Sequence, residues 1–216
     1  MYTKRLARRR FKSVPRGMSA SQHDLSKHSY LFMGMTECQG DLLEVFDAFQ
    51  IRKSVRAYEQ KQIPDDILTK VLEAGRISPS ANNAQPWHFI IVKDFEKRKT
   101  LSKRRWTKFL TEAPVVLVGC GDRGRSPDFN VIDVSIALQQ MVIAATAEGL
   151  GTCWIGDFDE KIVRDLVKIP DKFDVICMLA MGYPREKLDL GTKIIRARSR
   201  KKLEEIVSYE EYGKQK

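Results

Sequence analysis

Ten consecutive residues, Ser78-Pro79-Ser80-Ala81-Asn82-Asn83-Ala84-Gln85-Pro86-Trp87, gather small side chains, three amides and a Pro-Trp pair. They lead through His88 into the apolar run Phe89-Ile90-Ile91-Val92. Each side-chain amide carries donors and an acceptor, a set that can read the edge of a flat polar ring. Upstream lies Arg52-Lys53-Ser54-Val55-Arg56. Arginine's planar fork and a serine hydroxyl both match phosphate oxygens. Alone, the cationic cluster would be a solvated patch and the amides an Asx-turn, an explanation retained for Asn82. Together they suggest a mononucleotide cofactor. Nothing in the chain offers a competing chemistry. There is no Ser/His/Asp or Cys/His constellation and no G-x-G-x-x-G. Cys38, Cys120, Cys153 and Cys177 are scattered, without a C-x-x-C pair, and His23, His28 and His88 form no cluster. No metal site is expected, and the unpaired thiols suit a reducing, cytoplasmic setting.

These residues must be held by helices and strands that the apolar pattern locates. Residues 41–50 read as a short helix, with Leu42, Leu43, Val45, Phe46 and Phe49 on its apolar side. Pro64 and Asp65 open a second helix that continues to about Ile77. Residues 89–92 form a strand, 94–110 a charged helix and 114–120 a buried, valine-rich strand. Residues 129–149 form the long helix, with two apolar stripes. One is Val131, Val134, Leu138, Met141, Val142 and Ala145; the other is Ile132, Ile136, Ile143 and Ala144. A helix apolar on two sides is buried on two sides, and in a chain this size the second side suits a partner subunit. A strand at 152–155, a helix at 159–167 and a near-continuously apolar strand at 175–181 follow. Residues 188–207 read as an extended basic arm with a short terminal element. Mixed order with helices in excess makes the class α+β.

At 216 residues the chain suits one well-buried domain. The apolar-rich stretch 131–147 is interrupted by Asp133, Ser135, Gln139 and Gln140, so no membrane span is expected. The net charge of +10 is uneven: residues 1–34 hold eight Lys and Arg against Asp24, leaving +3 for residues 35–216. That argues against nucleic-acid binding by the main domain and leaves weak polyanion contacts to the arm. The domain reading is therefore a disordered basic arm, 1–34, and a cofactor domain, 35–216, with a C-terminal arm from 188. An organellar presequence or a start at Met33 or Met35 stays open for the first segment.

Arg52-Lys53-Ser54-Val55-Arg56-Ala57-Tyr58, with Ser78-Pro79-Ser80, Asn83 and Gln85-Pro86-Trp87, resembles the FMN-dependent nitroreductase family. Gly149-Leu150-Gly151-Thr152-Cys153-Trp154-Ile155-Gly156, Met181-Gly182-Tyr183-Pro184 and the basic 196–201 agree with it. The resemblance spans roughly residues 41–212. It implies a three-layer fold, a mostly antiparallel sheet flanked by helices, and an intertwined homodimer with FMN at its interface. It also implies hydride transfer from NADH or NADPH to FMN. A small-molecule acceptor, a nitroaromatic, quinone or enone, would follow in ping-pong order. A flavin-binding protein with a specialised reaction, or a binding protein without turnover, is the alternative. No side chain is expected to be catalytic in the strict sense, because the cofactor carries the chemistry.

By the same resemblance, Arg52 and Ser54 hold the ribityl phosphate region, with Lys53 and Arg56 adjacent. Asn83 and Gln85 bond flavin polar atoms and Ser80 lines the pocket. The segment Trp154, Ile155, Gly156 runs along the isoalloxazine and offers a backbone N–H toward N5. Arg198 and Arg200 supply C-terminal cations. Many relatives carry Gly where this chain has Asp157, an acid that would lower the redox potential or exclude anionic substrates.

Overall fold

In a computed structural model, residues 45–185 and 200–216 are described. The expectations for the basic arm 1–34 and for Arg198 lie outside them. The elements are α1 (Val45–Ile51), α2 (Asp65–Arg76), β1 (Trp87–Val92), α3 (Phe95–Leu101), β2 (Val115–Asp122), α4 (Asn130–Ala147), β3 (Gly151–Ile155), α5 (Glu160–Val167) and β4 (Phe173–Gly182). Local chemistry marks their starts. Asp94 and Asp159 accept the Lys97 and Ile162 N–H groups and so cap α3 and α5. Pro64 precedes α2, whose first turn carries Asp65 and Asp66.

The sheet is antiparallel throughout, in the order β1-β2-β4-β3. Its two central strands are the most apolar, because both of their faces are covered. On one face Val115, Leu117, Leu179 and Met181 pack with Val71 of α2 and with Val134, Leu138 and Met141 of α4. On the other, Val116, Val118, Met178 and Ala180 pack with Leu101, Leu110 and Val163. The architecture is the expected three-layer α+β fold.

Two expectations are corrected. Residues 94–110 are not one helix: α3 stops at Leu101, and a separate 3-10 turn spans Lys108–Thr111. The Ser102 hydroxyl donates to the Lys99 carbonyl (2.7 Å), and Thr107 donates to Leu101 (3.3 Å) and Arg104 (3.2 Å). These side chains satisfy carbonyls that a continuing helix would use. Arg98 then ties the break shut. Its nearly buried guanidinium donates to the carbonyls of Leu110 (3.3 Å), Thr111 (2.9 Å) and Ala113 (2.6 Å). Arg98→Met should lose these bonds and strand their acceptors. At about 2–4 kcal/mol, the melting temperature should fall by roughly 5–15 °C. A shift under about 2 °C would show that the clamp is unimportant.

The second correction concerns α4. Val134, Leu138, Met141, Val142 and Ala145 are buried, but Val131 is 53% exposed and joins Ile132 (54%) and Ile136 (37%) on an uncovered side. Among the described residues α4 is the one helix long and apolar enough to cross a membrane. Half of it is instead buried against α2 and the sheet.

Candidate functional site

The cationic segment leaves α1 as an extended strut. Ser54 forms a parallel bridge with Thr152 of β3, and the Val55 N–H donates to the Thr152 carbonyl (2.8 Å). Extended backbone alternates its side chains. Val55 and Ala57 are buried, while Arg52, Ser54 and Arg56 share the opposite parity and stay accessible. Lys53 is exposed and has the parity of Val55, so it is separated from the set. Gly151 makes the close approach possible: a Cβ there would stand 2.5 Å from Val55 Cγ2 and 2.8 Å from Val55 Cβ. Beneath the strut lies Cys153. Burial pushes its thiol pKa up, and the Arg56 charge and the Ser54 hydroxyl draw it partway back. Cys120 and Cys177 are likewise buried and pushed up to about 11 and about 12 by desolvation, so they are inert structural thiols.

The amide-rich turn follows α2. Asn82, Asn83 and Gln85 have φ values of 50°, 54° and 48°, all left-handed. Such conformations cost about 1–3 kcal/mol each, with Asn at the low end. Surrounding bonds hold them. The Gln85 N–H donates to Ser80 Oγ (2.9 Å), and Gln85 Nε2 donates to Asn83 Oδ1 (3.1 Å). The Ala81 N–H donates to Asp133 Oδ1 (2.9 Å), whose other oxygen accepts from Ser126 Oγ (2.9 Å). Asp133 is 2% exposed. In the sequence it is simply an acid interrupting an apolar helix; its place in the first turn is the only local signal of a special role. The Gln85 Nε2–Asn83 Oδ1 bond joins the two side chains proposed to meet the ring. Trp87 opens β1 and is half-buried against the α2–α4 side of the core.

At the far end of β3, neighbouring side chains take opposite faces. Trp154 is 36% exposed, whereas Ile155 is buried in the core on the α3–α5 side. Ile155 can therefore offer only its backbone to a ligand. Gly156 is exposed, with open space where a Cβ would stand. Asp157 beyond it pairs with Arg104 (3.2 Å), so the acid does not stand as a lone negative charge. Arg200 is exposed.

The single chain does not bring these groups together. The strut is tied to β3 beside Thr152, in the row of Val115 and Met181. The amide turn precedes Trp87 of β1, in the row of Gly121 and Asp174. These rows are six residues apart on β2, about 20 Å, and β1 and β3 are three strand spacings apart, about 14 Å. The two clusters occupy opposite edges and opposite ends of the sheet.

Loop 121–130 is pinned. Lys172 pairs with Asp122, Arg123 with Asp174, and Asn130 Nδ2 donates to Asp174 (3.0 Å). Asp122, Ser126 and Asn130 are buried.

Comparison with known proteins agrees with this geometry. The model of the nitroreductase family matches residues 50–115 and 101–183. A putative NADH dehydrogenase/NAD(P)H nitroreductase of Archaeoglobus fulgidus is 36% identical over 146 residues, covering 64% of this chain and 84% of that protein. An FMN reductase [NAD(P)H] of Bacillus subtilis is 26% identical over 167 residues, 67% of each chain. The solved FMN-dependent nitroreductase of Clostridium difficile R20291 superposes with a TM-score of 0.66 at 26% identity, covering 76% of this chain and 98% of that one. From its three-layer sheet to the strut and turn that flank it, the chain belongs to the nitroreductase family.

Proposed function

We propose that the protein is an FMN-dependent oxidoreductase, taking hydride from NADH or NADPH and reducing a nitroaromatic, quinone or related small acceptor by a ping-pong route. The observation that carries this is the division of chemistry between two corners of the sheet. Arg52, Ser54 and Arg56 suit a phosphate; Ser80, Asn83 and Gln85 suit a polar ring edge; Gly156 leaves room for a flat ring at the end of β3. A second copy, turned about a two-fold axis, would set one protomer's strut opposite the other's turn. The uncovered apolar side chains favour such a homodimer: Phe46 and Phe49 of α1 and Val131, Ile132 and Ile136 of α4 are all exposed in the single chain.

Bound FMN would supply the redox chemistry, accepting a hydride from the nicotinamide and returning the electrons to the acceptor. The protein's part is to bind and orient. Arg52 and Ser54 fix the phosphate end. Asn83 Nδ2 and Gln85 Oε1 complement ring acceptors and donors. The backbone at 155–156 lies on the outer edge of β3, which has no strand partner beyond Thr152 among the described residues.

An anaerobic visible spectrum before and after NADH or NADPH tests the proposal. Flavin bands that bleach with either nucleotide are expected. Protein that takes up no flavin on reconstitution, or flavin that neither nucleotide reduces, would overturn it. Arg52→Ala should strip the cofactor, with affinity falling at least about tenfold, as loss of a charge-assisted phosphate contact implies; unchanged flavin content would remove Arg52 from the site.

A further inference from the structure

Beside Gly156 stands a loop, residues 102–107, that the assigned chemistry leaves unused. Lys103, Arg104, Arg105 and Trp106 are all exposed, and Trp106 is 69% exposed. The loop is nevertheless tethered at both ends. The Ser102 N–H donates to the Arg98 carbonyl (3.0 Å). Thr107, 1% exposed, turns its hydroxyl back onto Leu101 and Arg104, and its N–H also donates to Arg104 (3.3 Å). Arg104 Nε reaches Asp157 Oδ1 at 3.2 Å, which joins the loop to the residue following Gly156. The Arg105 guanidinium lies 5.0 Å from the centre of the Trp106 ring.

We propose that this loop selects the electron acceptor, favouring aromatic compounds that carry an anionic substituent such as a carboxylate or sulfonate. The inference rests on the proposed flavin site at Trp154–Gly156. Three cations against Asp157 leave a local charge of +2 beside that site. An acid at position 157 would by itself repel anions; paired with Arg104 it instead fixes the loop and leaves Lys103 and Arg105 unopposed by it. A fully solvated basic turn would account for the charges but not for an exposed indole beside them. An indole face stacks an aromatic ring, and a guanidinium beside it takes a carboxylate. The reaction is the family's own: the acceptor's nitro group takes two electrons and two protons and loses water to give a nitroso compound. NADH or NADPH supplies the hydride, and solvent the second proton.

The test compares 4-nitrobenzoate with its methyl ester, which differ in charge at the same ring. The readout is the ratio of kcat/KM for acid over ester in the flavin-loaded enzyme. Arg105→Gln should lower the ratio about threefold, and Arg104→Gln with Arg105→Gln about tenfold, as expected for charges ~6 Å away in a water-like medium. Asp157→Asn should raise it about threefold. High salt should compress all these differences. A binding measurement accompanies turnover: 4-nitrobenzoate should quench tryptophan fluorescence at lower concentration than the ester, Arg105→Gln should narrow that difference, and Trp106→Ala should weaken the binding of both compounds alike. An unchanged ratio in the Arg variants, or an equal fall for acid and ester, would overturn the proposal. So would a wild-type enzyme that NADH or NADPH reduces but that binds both compounds equally. Failure of the flavin reading would look different, as protein with no flavin reducible by either nucleotide.

Discussion

Asp133→Ala should lower FMN affinity by at least about tenfold while the melting temperature moves by no more than about 5 °C. The two effects separate because Asp133 stabilises a strained segment. Its carboxylate accepts the Ala81 N–H and the Ser126 hydroxyl, charge-assisted bonds worth about 1.5–3 kcal/mol each. Losing them frees the turn to leave the left-handed conformations at Asn82, Asn83 and Gln85, which recovers about 1–3 kcal/mol per relaxed residue. Global stability is therefore nearly balanced, but the geometry of Ser80, Asn83 and Gln85 is lost. Asp133→Asn keeps an acceptor for Ala81, and Ser126 can reverse its hydrogen bond, so this variant should stay within about threefold of wild type. Isothermal titration with FMN beside thermal melts decides it. If Asp133→Ala bound FMN as wild type does, either the carboxylate would not hold the turn or the turn would not touch the cofactor.

The second large effect is expected at Gly151. A methyl group there would sit 2.5 Å from Val55 Cγ2, 2.9 Å from Cγ1 and 2.8 Å from Val55 Cβ. Rotating Val55 cannot relieve the contact with Cβ, so the backbone of the strut must move away from β3. That breaks the Val55–Thr152 hydrogen bond and displaces the flanking Ser54 and Arg56. Gly151→Ala should destabilise the protein by about 1–3 kcal/mol, as overpacking commonly does. FMN affinity should fall at least about tenfold as well, because the side chains proposed to hold the phosphate ride on the displaced segment. Val55→Gly removes the Cβ contact and both Cγ contacts, so the double variant should bind FMN more tightly than Gly151→Ala alone. Additive losses in that cycle would show that the two residues do not meet as described.

Much of the architecture was legible locally. Caps at Asp94 and Asp159, the proline at the head of α2, the unbroken apolar runs of β2 and β4 and the helical period of α4 each depend on residues within a few positions. The proposed site was also drawn from local chemistry: guanidinium, hydroxyl and amide groups have the donors and acceptors that phosphate and ring contacts need. The helix expected over 94–110 failed because its composition is helical throughout, while Ser102 and Thr107 spend their hydroxyls on the backbone and Arg98 binds carbonyls twelve or more residues away. Val131 failed because spacing alone placed it with the buried stripe, whereas in the first turn of α4 it is Asn130, Asp133 and Val134 that are buried.

What residue types alone could specify was the α+β scaffold and which groups have the chemistry proposed for a phosphate and for a ring. Only the tertiary structure set those groups at opposite corners of one sheet, put Asp133 under a turn 52 residues away in sequence, and neutralised Asp157 with Arg104. Periodicity and propensity act over a few residues, whereas strand order and a buried carboxylate's partners follow from how distant segments pack and satisfy one another's hydrogen bonds.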